Sequence, residues 1–156
     1  MGNALPLLQK AADRAIAALT AEALGVLARL QEDTVEFSKQ RQQFGQAISN
    51  FQALQHRMVD MYMQVEMLRS ACYLATLNLD AEDVERSKAA SAAKVTLGQA
   101  CRFVGQNAVQ LHGGMGMTDE LAISHYFKRA TQMETDFGSV DYHLMRHAAL
   151  SRKSVA

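Results

Sequence analysis

The chain has one proline, two cysteines and no tryptophan in 156 residues, and neither sign of charge is in excess. Each scarcity excludes something. With a single proline there is little to break a helix, and the many alanines and nine methionines favour one. The two cysteines, Cys72 and Cys101, are far apart and match no metal or redox spacing. They are expected to be free, buried thiols of a reduced, intracellular protein. Sixteen basic residues against sixteen acidic ones, with no long run of either, argue against a nucleic-acid or anionic-membrane surface. No apolar run reaches the roughly 18 residues of a membrane span, and the N-terminus lacks a secretory pattern. A cytoplasmic location is the expectation, with neither nucleic acid nor membrane as a partner.

What the sequence does have is helical periodicity. Apolar residues recur three and four apart in four long stripes. The first runs from Leu8 through Leu19, Leu30 and Thr34 to Phe37. The second, near-heptad, runs from Phe51 through Met58, Met61, Val65 and Cys72 to Leu79. The third, from Ala89 through Ala93, Leu97 and Val104 to Leu111, is made largely of small residues that allow close helix approach. The fourth runs from Ala122 through Tyr126, Ala130 and Met133 to Phe137. Val140, Leu144 and Ala148 suggest a short last helix. Pro6 sits where a first helix would begin and tolerates it. Gly45 to Asn50 separates the first two helices, and Ser49 or Asn50 could cap the second. Asp80 and Asp83 bracket the start of the third, Gly113, Gly114 and Gly116 end it, and Thr118 opens the fourth. No strand-like alternation competes. The chain reads as an all-α, up-down bundle of four long helices plus a short C-terminal one, in a single domain over residues 1–156. Such a chain buries roughly 68–70% of its unfolded surface.

Several positions carry chemistry. Gly113, Gly114 and Gly116 lie just before a helix start, where glycines admit a ligand to the backbone and a helix N-terminus favours phosphate. A helix end followed by a tight turn explains them equally well. Arg41, beside Gln42, Gln43 and Phe44, suits bidentate phosphate recognition, or else satisfies the last carbonyls of its own helix. His143 and His147, spaced i, i+4, could share a helix face, but no third metal ligand is evident. His56, His112 and His125 read as surface or packing residues. The methionines Met58, Met61, Met63 and Met67 read as core or interface.

Two stretches, Arg41-x-x-Phe-Gly45 with Phe51-Gln52, and Gln110-x-x-Gly-Gly-x-Gly116, occur in this order on a helical background. With Ala12-Asp13-Arg14, Thr20-Ala-Glu-Ala-Leu-Gly25, Asp60-Met61, Ala92-Ala-Lys94 and Glu120, they cover nearly the whole chain. The pattern resembles the C-terminal helical domain of the acyl-CoA dehydrogenases, and most of all small subunits of the pimeloyl-CoA dehydrogenase type. Such members are oxidoreductases and flavoproteins of fatty and dicarboxylic acid oxidation. They oxidise an acyl-CoA thioester to the 2,3-enoyl-CoA: a glutamate removes the α-proton, flavin accepts hydride from the β-carbon, and electrons pass onward, often to an electron-transfer flavoprotein.

The resemblance implies FAD contacts by Arg41, Phe44, Phe51, Gln52, Gln110, Gly113, Gly114 and Ser139. Arg41 would reach the pyrophosphate of a neighbouring subunit's cofactor, with Phe44 lining the same cleft. It also implies a homo-dimer or tetramer built through the bundle. Aligned without a gap from Gly113 to Gly138, the family's catalytic glutamate falls on Phe137, and the alternative position on the first helix falls on Ala15. Neither side chain can take a proton. A glutamate-bearing dehydrogenase subunit is therefore an expected partner, and Glu134, Asp136 and Asp141 are the nearest acidic residues. The family's N-terminal helical and middle β domains are absent. The chain reads as the C-terminal domain of a longer parent, with Met1 an artificial start, inactive in isolation and not retaining FAD. A non-catalytic assembly role is the alternative.

Overall fold

Pro6 occupies the first turn of a 36-residue helix, α1 (Leu5–Gln40), where its missing N–H breaks no bond. The computed structural model of the protein describes residues 4–153, so Met1 lies outside the described residues. Four further helices follow: α2 (Gln52–Leu77), α3 (Asp83–His112), α4 (Ala122–Thr135) and α5 (Val140–Lys153). Connections are short, so successive helices fold back up and down. The expected all-α bundle is what forms, with two differences of detail. The fourth helix is no longer than the fifth, at 14 residues each. A two-residue ladder, Gln42–Gln43 against Gln46–Ala47, also interrupts the α1–α2 connection.

That ladder turns through Phe44 and Gly45, both with positive φ (53° and 79°). A two-residue hairpin turn twisted to suit its strands requires this backbone, which is costly for phenylalanine. Phe44 projects into solvent at 91% exposure and meets Phe51 edge to face, centroids 6.1 Å apart.

The third helix is the axis of the bundle and packs against all four others. Leu97, Ala100, Val104 and Ala108 of α3 meet Leu19, Ala23, Leu27 and Leu30 of α1, Met61, Val65 and Leu68 of α2, and Ala130 and Met133 of α4 in one buried cluster. Each such leucine contributes roughly 1.5–3 kcal/mol by leaving water. The small stripe allows close approach, as expected: a Cβ on Gly98 would lie 2.5 Å from Val140 Cγ2 of α5. The anticipated caps differ. Phe51 precedes α2 with no side-chain cap, and Ser49 contributes only its carbonyl, which accepts from Gln55 Nε2 at 2.9 Å. The Thr118 hydroxyl donates back to Met115 O at 2.9 Å, closing the glycine turn instead of opening α4, whose N-cap is Leu121. Among the described residues, no helix is long and apolar enough to cross a membrane.

Candidate functional site

The ends of α1 and α3 meet at one edge of the bundle. Helix α1 stops at Arg41, whose backbone turns extended; its N–H donates to Phe37 O (2.9 Å) and its carbonyl accepts from Ile48 N (2.8 Å). The main chain is thus tied on both sides while the guanidinium stands exposed. No carboxylate pairs with that guanidinium among the described residues. Helix α3 ends where Gly113 takes φ 62°, ψ −142°, a conformation natural to glycine alone.

Between these ends lies a cleft of about 560 Å³, lined among others by Arg41, Gln43, Gln110, Gly113 and Gly114. A Cβ added to Gly113 or Gly114 would meet nothing within 4 Å, so this backbone faces open space. Gly116 is different: its Cβ would sit 2.9 Å from Val109 O, which makes it a packing glycine. A free cation opposite an unobstructed glycine backbone, with amide side chains beside it, is a donor set that fits a diphosphate. The expected help from a helix N-terminus is absent, because α4 starts only at Ala122 and the glycines follow the C-terminal end of α3. That end carries partial negative charge, so Arg41 must supply the attraction.

The cleft brings together Arg41, Gln110, Gly113 and Gly114. Phe44, Phe51 and Gln52 stand outside its lining. Ser139 is elsewhere, beside a second cleft of about 310 Å³ that Gly98, Arg102 and Glu134 also line. His112, read from sequence as surface or packing, is buried and stacks on Phe37 beneath the first cleft, with Nδ1 2.8 Å from Ala108 O.

The second cleft borders the α4–α5 turn. There Phe137 takes a left-handed φ of 59° and is 52% exposed. Gly138, with φ 113°, is packed so closely that a Cβ would lie 2.8 Å from Tyr142 Cδ1. Ser139 Oγ accepts from the Tyr142 N–H (3.2 Å) and caps α5. Two of the three acidic residues nearby are engaged: Glu134 pairs with Arg102, and Asp136 lies 3.6 Å from Arg129, which grips Glu22 through two bonds of 2.6 and 2.7 Å; Asp141, exposed in the first turn of α5, lines the cleft. The Arg129 hydrogen bond outweighs the opposing desolvation and holds the Glu22 carboxyl below its ordinary range. Ala15 lies half-buried on α1.

Sequence reading missed a buried polar network behind this turn. Asp13 (α1) accepts from Ser87 at 2.7 Å and from Arg146 at 2.8 Å. Arg86 Nε lies 3.5 Å from the same carboxylate without a hydrogen bond, while its Nη2 donates to Asp83 at 2.6 Å. His143 contacts Ser91 Oγ and Phe137 O, so the histidine considered as half of a metal pair is committed inside the fold. Among the described residues no three His, Cys, Asp or Glu side chains gather to hold a metal. Lys94, fully buried, donates to Glu134 O at 2.8 Å, and desolvation lowers its pKa. Both cysteines are free and buried; desolvation pushes the Cys101 thiol up to about 12, far from thiolate chemistry. The signal for the network was a lone Asp13 and a lone Lys94 beside apolar stripes.

The helical fold is shared with known proteins. The family described as "Acyl-CoA dehydrogenase, C-terminal domain" matches residues 5–150. The chain is 39% identical over 122 residues to the acyl-CoA dehydrogenase IpdE2 of Mycolicibacterium smegmatis, covering 78% of this chain and 37% of that protein. Among solved structures, the Tcur3481-Tcur3483 steroid ACAD superposes with a TM-score of 0.87 at 30% identity, covering 92% of this chain and 39% of that one. The ChsE4-ChsE5 complex of Mycobacterium tuberculosis gives 0.84 at 28%, covering 88% and 37%. The chain spans little more than a third of these proteins.

Proposed function

The chain belongs to the acyl-CoA dehydrogenase family through its C-terminal domain, and from that premise we propose that it is the FAD-contacting and assembly domain of a dehydrogenase acting on an acyl-CoA thioester. One observation carries the reading: Arg41, without a carboxylate partner among the described residues, lines the same cleft as the open Gly113–Gly114 backbone, a donor set that suits a diphosphate. Arg41 would grip the diphosphate through two parallel bonds, Gln110 would add an amide, and the glycines would let the phosphate oxygens come close. Phe44, Phe51, Gln52 and Ser139, outside this cleft, would meet other parts of a cofactor shared with a neighbouring subunit.

When bound, FAD supplies the acceptor for the hydride that leaves the substrate's β-carbon. The α-proton needs a base, and this chain offers none at the two family positions, Phe137 and Ala15. The carboxylates of Glu134 and Asp136 are held by Arg102 and Arg129. Asp141 lines the second cleft from the first turn of α5 but matches neither family position, and the base is assigned to a glutamate-bearing partner subunit. That the ChsE4-ChsE5 structure is a complex of two proteins supports such an arrangement. Arg41→Ala in the full-length protein is expected to release flavin on gel filtration, and full flavin occupancy in that variant would count against the assignment.

A purely assembly-forming role is the second reading. It is favoured by the apolar face of α2, where Val59, Met63, Met67, Tyr73 and Leu77 are 51–82% exposed. Both readings expect a dimer or tetramer in sedimentation; a clean monomer at high concentration contradicts that expectation.

A further inference from the structure

Two buried side chains hold the α4–α5 turn, one at each end. Lys94 of α3 donates to the Glu134 carbonyl (2.8 Å), and His143 of α5 reaches the Phe137 carbonyl through Nε2 (2.9 Å). Between them the chain passes through two positive-φ residues, Phe137 and Gly138. A bulky aromatic residue in this region is strained, and such strain persists only where surrounding contacts impose it. Relaxation to negative φ would redirect the Phe137 side chain.

Hydrogen-bond chemistry fixes the imidazole in one form. A carbonyl only accepts, so Nε2 carries the proton that meets Phe137 O. Nδ1 is then an acceptor and takes the Ser91 hydroxyl proton (3.3 Å). Ser91 Oγ accepts in turn from Arg146 Nη1 (3.1 Å), and Arg146 Nη2 donates to Asp13 Oδ1 (2.8 Å). Every bond from the Asp13 carboxylate on α1 to the turn thus has a determined direction.

We infer that His143 is a positioning residue for position 137: with Lys94 it holds the turn left-handed and the Phe137 ring outward, in the imidazole tautomer that the Phe137 carbonyl requires, while Ser91, anchored through Arg146 to Asp13, steadies the other ring nitrogen. That position 137 serves a dehydrogenation site rests on the proposed function. Protonation would change this arrangement, because Nδ1 would become a donor and the Ser91 hydroxyl proton would lose its acceptor. The surroundings disfavour it too. Burial lowers the His143 pKa, the Phe137 bond opposes that shift, Lys94 of α3 and Arg146 of α5 repel added charge, and Asp13 of α1 attracts it.

Nitrogen NMR of the imidazoles in this chain reads the tautomer directly, and the Gly138 amide and Phe137 ring signals read the turn. The expected result is the Nε2–H tautomer for His143 near neutral pH. Ser91→Ala, a small change that keeps the fold, should shift the His143 Nδ1 signal as its hydrogen bond is lost and shift or broaden Gly138. His143→Gln, whose amide can still donate to the carbonyl, should leave the turn signals closer to the parent chain than His143→Leu does. An Nδ1–H tautomer overturns the inference, as do Gly138 and Phe137 signals unmoved in both Ser91→Ala and His143→Leu. None of these readouts needs flavin, so their failure is distinct from failure of the Arg41→Ala flavin test.

Discussion

The imidazole of His112 lies stacked on the ring of Phe37, centroids 4.3 Å and planes 26° apart. Phe37 sits one turn before Arg41, and His112 immediately before Gly113, so the stacked pair lines the proposed diphosphate cleft. Its Nδ1 lies 2.8 Å from the Ala108 carbonyl. His112→Ala removes both contacts and is expected to cost roughly 1–3 kcal/mol in urea denaturation of the chain. Flavin retention by the full-length protein should also weaken. A variant as stable as the parent chain contradicts the role given to the stack.

The glycines should divide by consequence. Gly116→Ala drives a Cβ to 2.9 Å from a backbone oxygen and should destabilise by roughly 1–3 kcal/mol. Gly114→Ala adds a methyl to open space and should leave stability within about 0.5 kcal/mol. The same methyl occupies the cleft, so flavin occupancy of the full-length protein should drop. If Gly114→Ala binds flavin undiminished, the backbone there is not the cofactor's surface.

Much of the fold was legible from sequence, because the buried positions of every long helix recur three and four residues apart and the turns are marked by glycine and acidic residues. What was hidden has physical reasons. The Gln42–Gln43 ladder is too short for alternation to show. The anticipated caps at Ser49, Asn50 and Thr118 failed because turn and 3-10 backbone bonds took over the ends. Arg41, Gln110, Gly113 and Gly114 were singled out through the family resemblance, and the fold places them around one cleft. The relay behind Phe137 was invisible because it is tertiary: Asp13 and Arg146 are 133 positions apart.

Asp13 faces two arginines, Arg86 and Arg146, across buried ground. Removing one partner of a buried ion pair leaves charge uncompensated, so Asp13→Ala should cost roughly 3–5 kcal/mol. Chemical denaturation measures this. A cost near that of an exposed pair, about 1 kcal/mol or less, would show that the cluster is looser than its distances imply.

Acid should weaken the fold through His143. Its folded pKa is below the ordinary 6.5, chiefly through burial, so below that value the unfolded chain binds the proton more readily. The stability due to the uncharged ring is present above 6.5 and is lost as pH falls from there toward the folded value. Between about pH 7.5 and about pH 5.5, the parent chain should lose more stability than His143→Gln, which has nothing to titrate there. Equal losses in both would remove His143 from the account.

That the domain contacts FAD in the full-length protein yet lacks a base of its own is the reading most open to test. It is tested most directly by mixing the full-length protein, purified alone and free of oxygen, with saturated acyl-CoAs while following the visible flavin band. The account expects a flavin spectrum that stays unbleached until a glutamate-bearing partner is added. Bleaching by the protein alone would reveal a base that Phe137 and Ala15 do not provide, and a protein with no flavin at all would contradict the cofactor role.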